Sequence, residues 1–201
     1  MKQKLPKTFY LEKDVVKVAQ ELLGKVLVTK NGGITSSGII TETEAYAGET
    51  DKASHAYGGR RTKRTETMYQ IGGTIYVYLC YGMHALFNVV TNEKEIPHAV
   101  LIRAIKPLEG IEAIKKRLSN RKMKFDCENC EGPSKVTIAL GITLEHNNSN
   151  LQSESIFIED IGIKIPKGKI IKSKRIGVDY AGADALLPYR FQIDTNTLKE
   201  I

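Results

Sequence analysis

The passage that decides the fold is Thr74-Ile75-Tyr76-Val77-Tyr78-Leu79-Cys80-Tyr81, followed by Gly82 and Met83, and then His84-Ala85-Leu86-Phe87-Asn88-Val89-Val90-Thr91. β-Branched and aromatic residues dominate both runs, so each reads as a strand. Gly82 between them can take positive φ, as a tight turn requires. The pair is therefore a hairpin. Upstream, Lys25 to Lys30 reads as a strand, Asn31-Gly32-Gly33 as a turn and Gly38 to Tyr46 as the returning strand. Downstream, His98 to Lys106 is another strand, and β-rich pieces recur at Ser155 to Ile158, Lys169 to Val178 and Tyr189 to Ile193. Helices are fewer. Val15, Val16, Val18, Ala19, Leu22 and Leu23 recur at helical spacing between Glu12 and Leu23, and Gly24 stops the run. Leu108 to Leu118 and Pro133 to Leu140 complete the set, the last with Pro in its first turn. Strands joined by hairpins rather than crossover helices predict an α+β fold. The expectation is a single domain over residues 1–201, a mainly antiparallel curved sheet with flanking helices and a protruding hairpin.

At 201 residues and 41% hydrophobic, the chain can bury one good core. The net charge of +7 fits a polyanionic partner, because lysines and arginines on phosphates release counterions; simple solubility explains it equally well. The N-terminus lacks an apolar signal region, and no apolar run is long enough to span a bilayer, so neither secretion nor membrane association is expected. Cys80, Cys127 and Cys130 are too few for a disulfide scaffold, which fits a reducing, cytoplasmic (in a bacterium, nucleoid) setting. Cys127 and Cys130 form a Cys-x-x-Cys, but structural zinc wants four ligands and no second pair exists. A surface loop with two free thiols is expected, and no metal. A dinucleotide fingerprint and a phosphate loop are both missing from the sequence, and no cofactor is expected.

The chemistry concentrates between Thr41 and Arg103. Strand alternation places Glu42, Glu44 and Tyr46 on one face, an arrangement that also fits a solvated edge. His55 follows a short loop later. Gly58-Gly59-Arg60-Arg61-Thr62-Lys63-Arg64 is a flexible basic loop suited to phosphates, although a solvated charge run looks the same. Tyr81 and Met83 put large apolar groups at a hairpin tip. Either the tyrosines of this hairpin are buried strand formers, or the tip is a wedge that enters the minor groove and fills the space left by a flipped nucleotide.

These residues closely resemble the alkyladenine (3-methyladenine) DNA glycosylases. The matching pieces are Thr43-Glu44-Ala45-Tyr46, His55-Ala56-Tyr57-Gly58-Gly59-Arg60, Arg64, Gly73 to Tyr78, Tyr81-Gly82-Met83, Asn88 and Leu101-Ile102-Arg103. They continue with Pro107 to Gly110, Gly132-Pro133-Ser134-Lys135, Arg175 to Val178 and Pro188 to Phe191. The resemblance runs from Phe9 nearly to the C-terminus. It implies a monofunctional repair enzyme that acts as a monomer on double-stranded DNA containing damaged purines, approached from the minor groove.

The resemblance also implies roles. Glu44 holds and deprotonates the attacking water, paired with Arg103, which keeps it ionised; a backbone carbonyl near Ile176 orients the same water. Tyr46, His55 and Tyr78 form an aromatic sleeve around the extruded base, where stacking contributes roughly 1–3 kcal/mol. Asn88 stands at the pocket wall, against the 2-amino group of undamaged guanine. Tyr81 is the intercalating plug, with Met83 beside it, and Arg60, Arg64 and Lys135 face the DNA backbone. Cationic alkylated purines leave without a general acid; for neutral lesions, His55 and a backbone donor near Ala53 are the two candidates. Two departures stand out. Glu93-Lys94-Glu95-Ile96-Pro97 runs about two residues longer than in the family's human member, and His84 replaces a tyrosine there. Two rival readings remain. One is a binding module without catalysis. The other is a metal-dependent nuclease using Glu42, Glu44 and His55.

Overall fold

A computed structural model describes residues 2–127, 129–194 and 197–198. In chain order the elements are β1 (Gln3–Lys4), α1 (Lys7–Tyr10), α2 (Val15–Glu21), β2 (Val26–Asn31), β3 (Ile34–Tyr46), β4 (Ile75–Cys80), β5 (His84–Thr91), β6 (His98–Glu109) and α3 (Ile111–Asn120). They continue with β7 (Cys130–Glu131), α4 (Pro133–Leu140), β8 (Ile156–Asp160), β9 (Ile170–Ser173) and β10 (Arg190–Ile193). All strand pairs are antiparallel, and the sheet runs β1-β8-β2-β3-β6-β5-β4. This is the α+β, mainly antiparallel architecture expected from the hairpin pattern.

The long strand β3 organises the molecule. Its first half pairs with β2, and from Glu42 to Glu44 that edge passes to β10, while β6 follows the other edge from Ser37 to Tyr46. One cross-strand row then reads Arg190, Glu44, Leu101, Asn88, Tyr76 across β10, β3, β6, β5 and β4. Residues opposite each other in a sheet share a face, and alternate residues along a strand share it too. Glu42, Tyr46, Arg103, Ala99, Leu86 and Tyr78 therefore join this row on one face. The other face carries Ala45, Val100, Ile102, Phe87, Val89, Ile75 and Val77, all buried against residues of α2, α3 and α4 such as Val18, Ile114 and Val136. The sheet thus spends one face on the core and leaves the other for chemistry.

Three expectations need correction. Leu108 does not start a helix; β6 continues to Glu109, and α3 begins only after Gly110 breaks the strand with φ 72°. From the run read as a strand over Lys169 to Val178, only Ile170–Ser173 pairs in the sheet, because Arg175 is drawn away into a buried ion pair described below. Finally, the two thiols are not alike: Cys127 is exposed, but Cys130 is buried in β7 against β6.

Gly110 also illustrates how tightly the strand-to-helix corner is made. A Cβ there would lie 2.3 Å from the backbone oxygen of Thr35, in addition to the positive φ. Gly110→Ala is expected to destabilise the protein by about 2 kcal/mol or more, seen as a lower urea midpoint with an unchanged slope. An unchanged midpoint would mean the corner relaxes freely.

Candidate active site

Glu44 is fully buried, and its two carboxylate oxygens have separate partners. Oε1 accepts the backbone N–H of Ile176 at 2.8 Å. Oε2 accepts the Tyr46 hydroxyl at 2.8 Å and Nη1 of Arg103 at 3.3 Å. The feature that meets the carboxylate at Ile176 is thus the amide N–H. Arg103 reaches the site because the β3–β6 register slips on either side of Glu42: Thr41 and Arg103 are the residues left without an opposite partner. Such an irregularity bends the strand and re-aims a side chain. The Arg103 guanidinium bridges both acids, with Nε on Glu42 Oε1 at 2.8 Å. Arg190 donates to the same Glu42 oxygen. Two acids and two arginines therefore balance in a nearly dry setting, as buried charges require.

Burial pushes the Glu44 carboxyl above the ordinary glutamate range, against the opposing pull of Arg103, the Ile176 N–H and the Tyr46 hydroxyl. The proximity of a guanidinium alone suggested the reverse. Loss of hydration outweighs the single long contact to Arg103, and raises the basicity of the group.

In front of this cluster lies a cavity of about 420 Å³, lined by Tyr46, Ala53, His55, Tyr78, Asn88 and Arg103 among others. Its aromatic wall is continuous. Tyr76 and Tyr78 stack at 5.3 Å, and His55 meets Tyr78 edge-on at 4.7 Å. Arg64 lies over the Tyr78 ring at 4.7 Å and donates from Nη2 to His55 Nε2 at 3.0 Å. A guanidinium has only donors, so Nε2 accepts, and the ring proton resides on Nδ1, 3.0 Å from the Tyr76 hydroxyl. Burial and the neighbouring cations Arg64 and Arg60 lower the His55 pKa to about 4, so this ring is neutral at physiological pH. Asn88 donates Nδ2 to the Tyr76 backbone oxygen at 3.1 Å, which fixes its amide in the wall.

The remaining sequence candidates divide. Tyr81 and Met83 stand out at the tip of the β4–β5 hairpin, 90% and 74% exposed. Arg60 is exposed on its loop, whereas Arg64 is occupied in the pocket wall, and Lys135 occupies the first turn of α4. Arg61 is held by Glu66 and by Glu95 of the β5–β6 turn, and its guanidinium also stacks on Tyr69 at 4.6 Å. Glu95 thus tethers the basic loop to this turn. Glu42, Glu44 and His55 do not converge as ligands: the acids face arginines, and His55 faces Tyr76 and Arg64.

One element was missed by sequence reasoning. Arg175, buried, donates to both oxygens of Asp51, to the Ala45 backbone oxygen at 2.9 Å and to the Asp184 backbone oxygen at 3.1 Å. Its guanidinium also lies over the Tyr46 ring at 4.9 Å. This pair, 124 residues apart in sequence, fixes the segment that delivers the Ile176 N–H to Glu44. Breaking such a pair from one side typically costs about 3–5 kcal/mol. Spacing in the sequence gave no signal for it.

Comparison with known proteins fits this geometry. A family model described as Methylpurine-DNA glycosylase (MPG) matches residues 8–197. A protein of Chlamydia felis (strain Fe/C-56) is 50% identical over 198 residues, covering 98% of this chain and all of its own length. One from Clostridium perfringens (strain 13 / Type A) is 48% identical over 200 residues, covering 96% of this chain and 97% of its own. Both carry the name "Putative 3-methyladenine DNA glycosylase". The chain belongs to the methylpurine-DNA glycosylase family and is a DNA glycosylase.

Proposed function

We propose that the protein excises alkylated purines, 3-methyladenine and 7-methylguanine first among them, from double-stranded DNA by simple hydrolysis. The single observation that supports this most is a buried carboxylate, with raised basicity, whose three partners Tyr46, Arg103 and Ile176 line an aromatic cavity. The enzyme works as a monomer from the minor groove and flips the damaged nucleotide into the cavity between Tyr46, His55 and Tyr78. A cationic alkylated purine gains stacking and cation–π attraction there. Glu44 takes a proton from the attacking water as the water oxygen bonds to C1′ and the C1′–N9 bond breaks. The positive charge of the base neutralises as it leaves, so no general acid is required. The anionic carboxylate also stabilises the oxocarbenium character of the sugar. Hypoxanthine and ethenoadenine extend the substrate range. Arg60, Arg64 and Lys135 contact the phosphate backbone, with Arg64 leaving His55 as DNA binds.

The test is single-turnover release of base from a methylated duplex in the presence of EDTA. The expected product is an intact strand with an abasic site. A cut phosphodiester, or activity that disappears in EDTA, would overturn the proposal in favour of a nuclease.

A pH profile checks the base. Glu44 must be ionised to accept a proton, so kcat/KM falls as pH drops through its pKa. Because burial raises that pKa, the acidic limb is expected above the ordinary value of roughly 4.3. His55 titrates lower, at about 4, so His55→Gln is expected to lower the rate without moving the limb. A limb that shifts in that variant would assign the titration to the histidine instead.

A further inference from the structure

A neutral purine departs with the electron pair of the broken C1′–N9 bond, and it leaves faster if a donor hydrogen-bonds to an acceptor atom on its ring. The two donors suggested by the sequence are both engaged. The ring proton of His55 faces the Tyr76 hydroxyl at 3.0 Å, and the Ala53 backbone N–H donates to Asp51 Oδ1 at 3.0 Å. A third donor lines the same cavity. Tyr180 lies in the 3-10 segment Asp179–Leu186, is 70% exposed where it lines the cavity, and its hydroxyl donates to the Ala53 backbone oxygen at 3.1 Å. Arg64, Tyr78 and Cys80 line the same cavity. Arg175 holds the segment through Asp184 and Asp51, so the phenol extends from an anchored backbone.

We propose that Tyr180 is a specificity-determining residue that donates its hydroxyl hydrogen to neutral purines in the cavity. The inference rests on the glycosylase reading above. In the structure the hydroxyl donates to the Ala53 oxygen. A base presenting an acceptor, such as the 6-oxo group of hypoxanthine, takes that hydrogen bond instead, one neutral bond exchanged for another. A base presenting an amino group, such as 3-methyladenine, takes the Ala53 oxygen and displaces the phenol. The phenol is never deprotonated. Water's oxygen goes to C1′, its proton to Glu44, and the electron pair at N9 is spread over a base whose acceptor atom Tyr180 stabilises; the released base picks up its proton from solvent. Burial keeps the phenol pKa above its ordinary value, so the donor persists across the working range. One side chain therefore adapts the pocket to both edge chemistries.

The experiment compares single-turnover excision of hypoxanthine and of 3-methyladenine by wild type and Tyr180→Phe. Phenylalanine keeps the ring and removes the donor. Hypoxanthine excision is expected to fall roughly tenfold or more, the effect of a hydrogen bond to a charge-bearing acceptor, while 3-methyladenine excision stays within about twofold. An equal loss on both substrates would make Tyr180 a structural residue, and no loss on either would remove it from recognition; both overturn the proposal. A wild-type enzyme that releases methylated purines but no hypoxanthine also overturns it. One that releases no methylated purine overturns the reading of function beneath it.

Discussion

Replacing Glu44 with Gln is expected to slow excision of 7-methylguanine by roughly 10²–10⁴-fold, while lesion-DNA affinity stays within a few-fold of wild type. An amide cannot accept the water's proton and carries no charge to set against the oxocarbenium sugar. The cost to folding is a different quantity, and its signs oppose. Removing a buried charge relieves the desolvation that raises the Glu44 pKa. Against this, the amide NH2 must face either the Ile176 N–H or the pair formed by Tyr46 and Arg103, which places donor against donor for Ile176 and for Arg103. One unmatched buried donor costs about 1–3 kcal/mol. The two effects offset, so the variant should fold and the rate should carry the result. Single-turnover kinetics on a methylated duplex, with the denaturant midpoint as control, checks both. A variant with wild-type rate would remove Glu44 from the base role, whatever its stability.

The part of this site that the sequence disclosed is the part governed by local periodicity. Alternation along β3 put Glu42, Glu44 and Tyr46 on one face, and the structure finds all three there, because a two-residue period is a property of the backbone itself. The β4–β5 hairpin was legible for the same reason, together with Gly82 in its turn. Long-range pairing was not. Arg175 sits in a β-rich composition, yet leaves the sheet after Ser173 because Asp51, far away in the chain, offers it a bidentate partner. The Glu44 pKa followed the same logic. A nearby arginine could be guessed, but the degree of burial that overrides it depends on Ile176 and Tyr46 closing over the carboxylate. The boundary of α3 was misread because Leu108 fits a helical stripe as well as a strand, and only the conformation of Gly110 decides between them.

The hairpin tip leads to the second large effect. Tyr81 has φ 50° and Gly82 φ 71°, and the Met83 N–H closes the turn on the Cys80 oxygen at 3.1 Å. Positive φ at both central residues matches the twist of the flanking strands, which favours glycine or asparagine at the first of them. A tyrosine there costs about 1–2 kcal/mol of backbone strain and, at 90% exposure, recovers almost nothing by burial. Among the described residues, nothing buries that ring. A duplex does: the ring can enter the stack where the flipped nucleotide was, and stacking contributes roughly 1–3 kcal/mol, a factor of about 5–150 in the flipped population. Tyr81→Gly is therefore expected to lower single-turnover excision at limiting enzyme by that factor without lowering the melting temperature, since relief of strain offsets the added freedom of the unfolded chain. Fluorescence of a 2-aminopurine beside the lesion should report the lost flipped state directly. If the variant instead melts markedly earlier and flips as well as wild type, the tyrosine belongs to the hairpin's own stability, and the finger is no wedge.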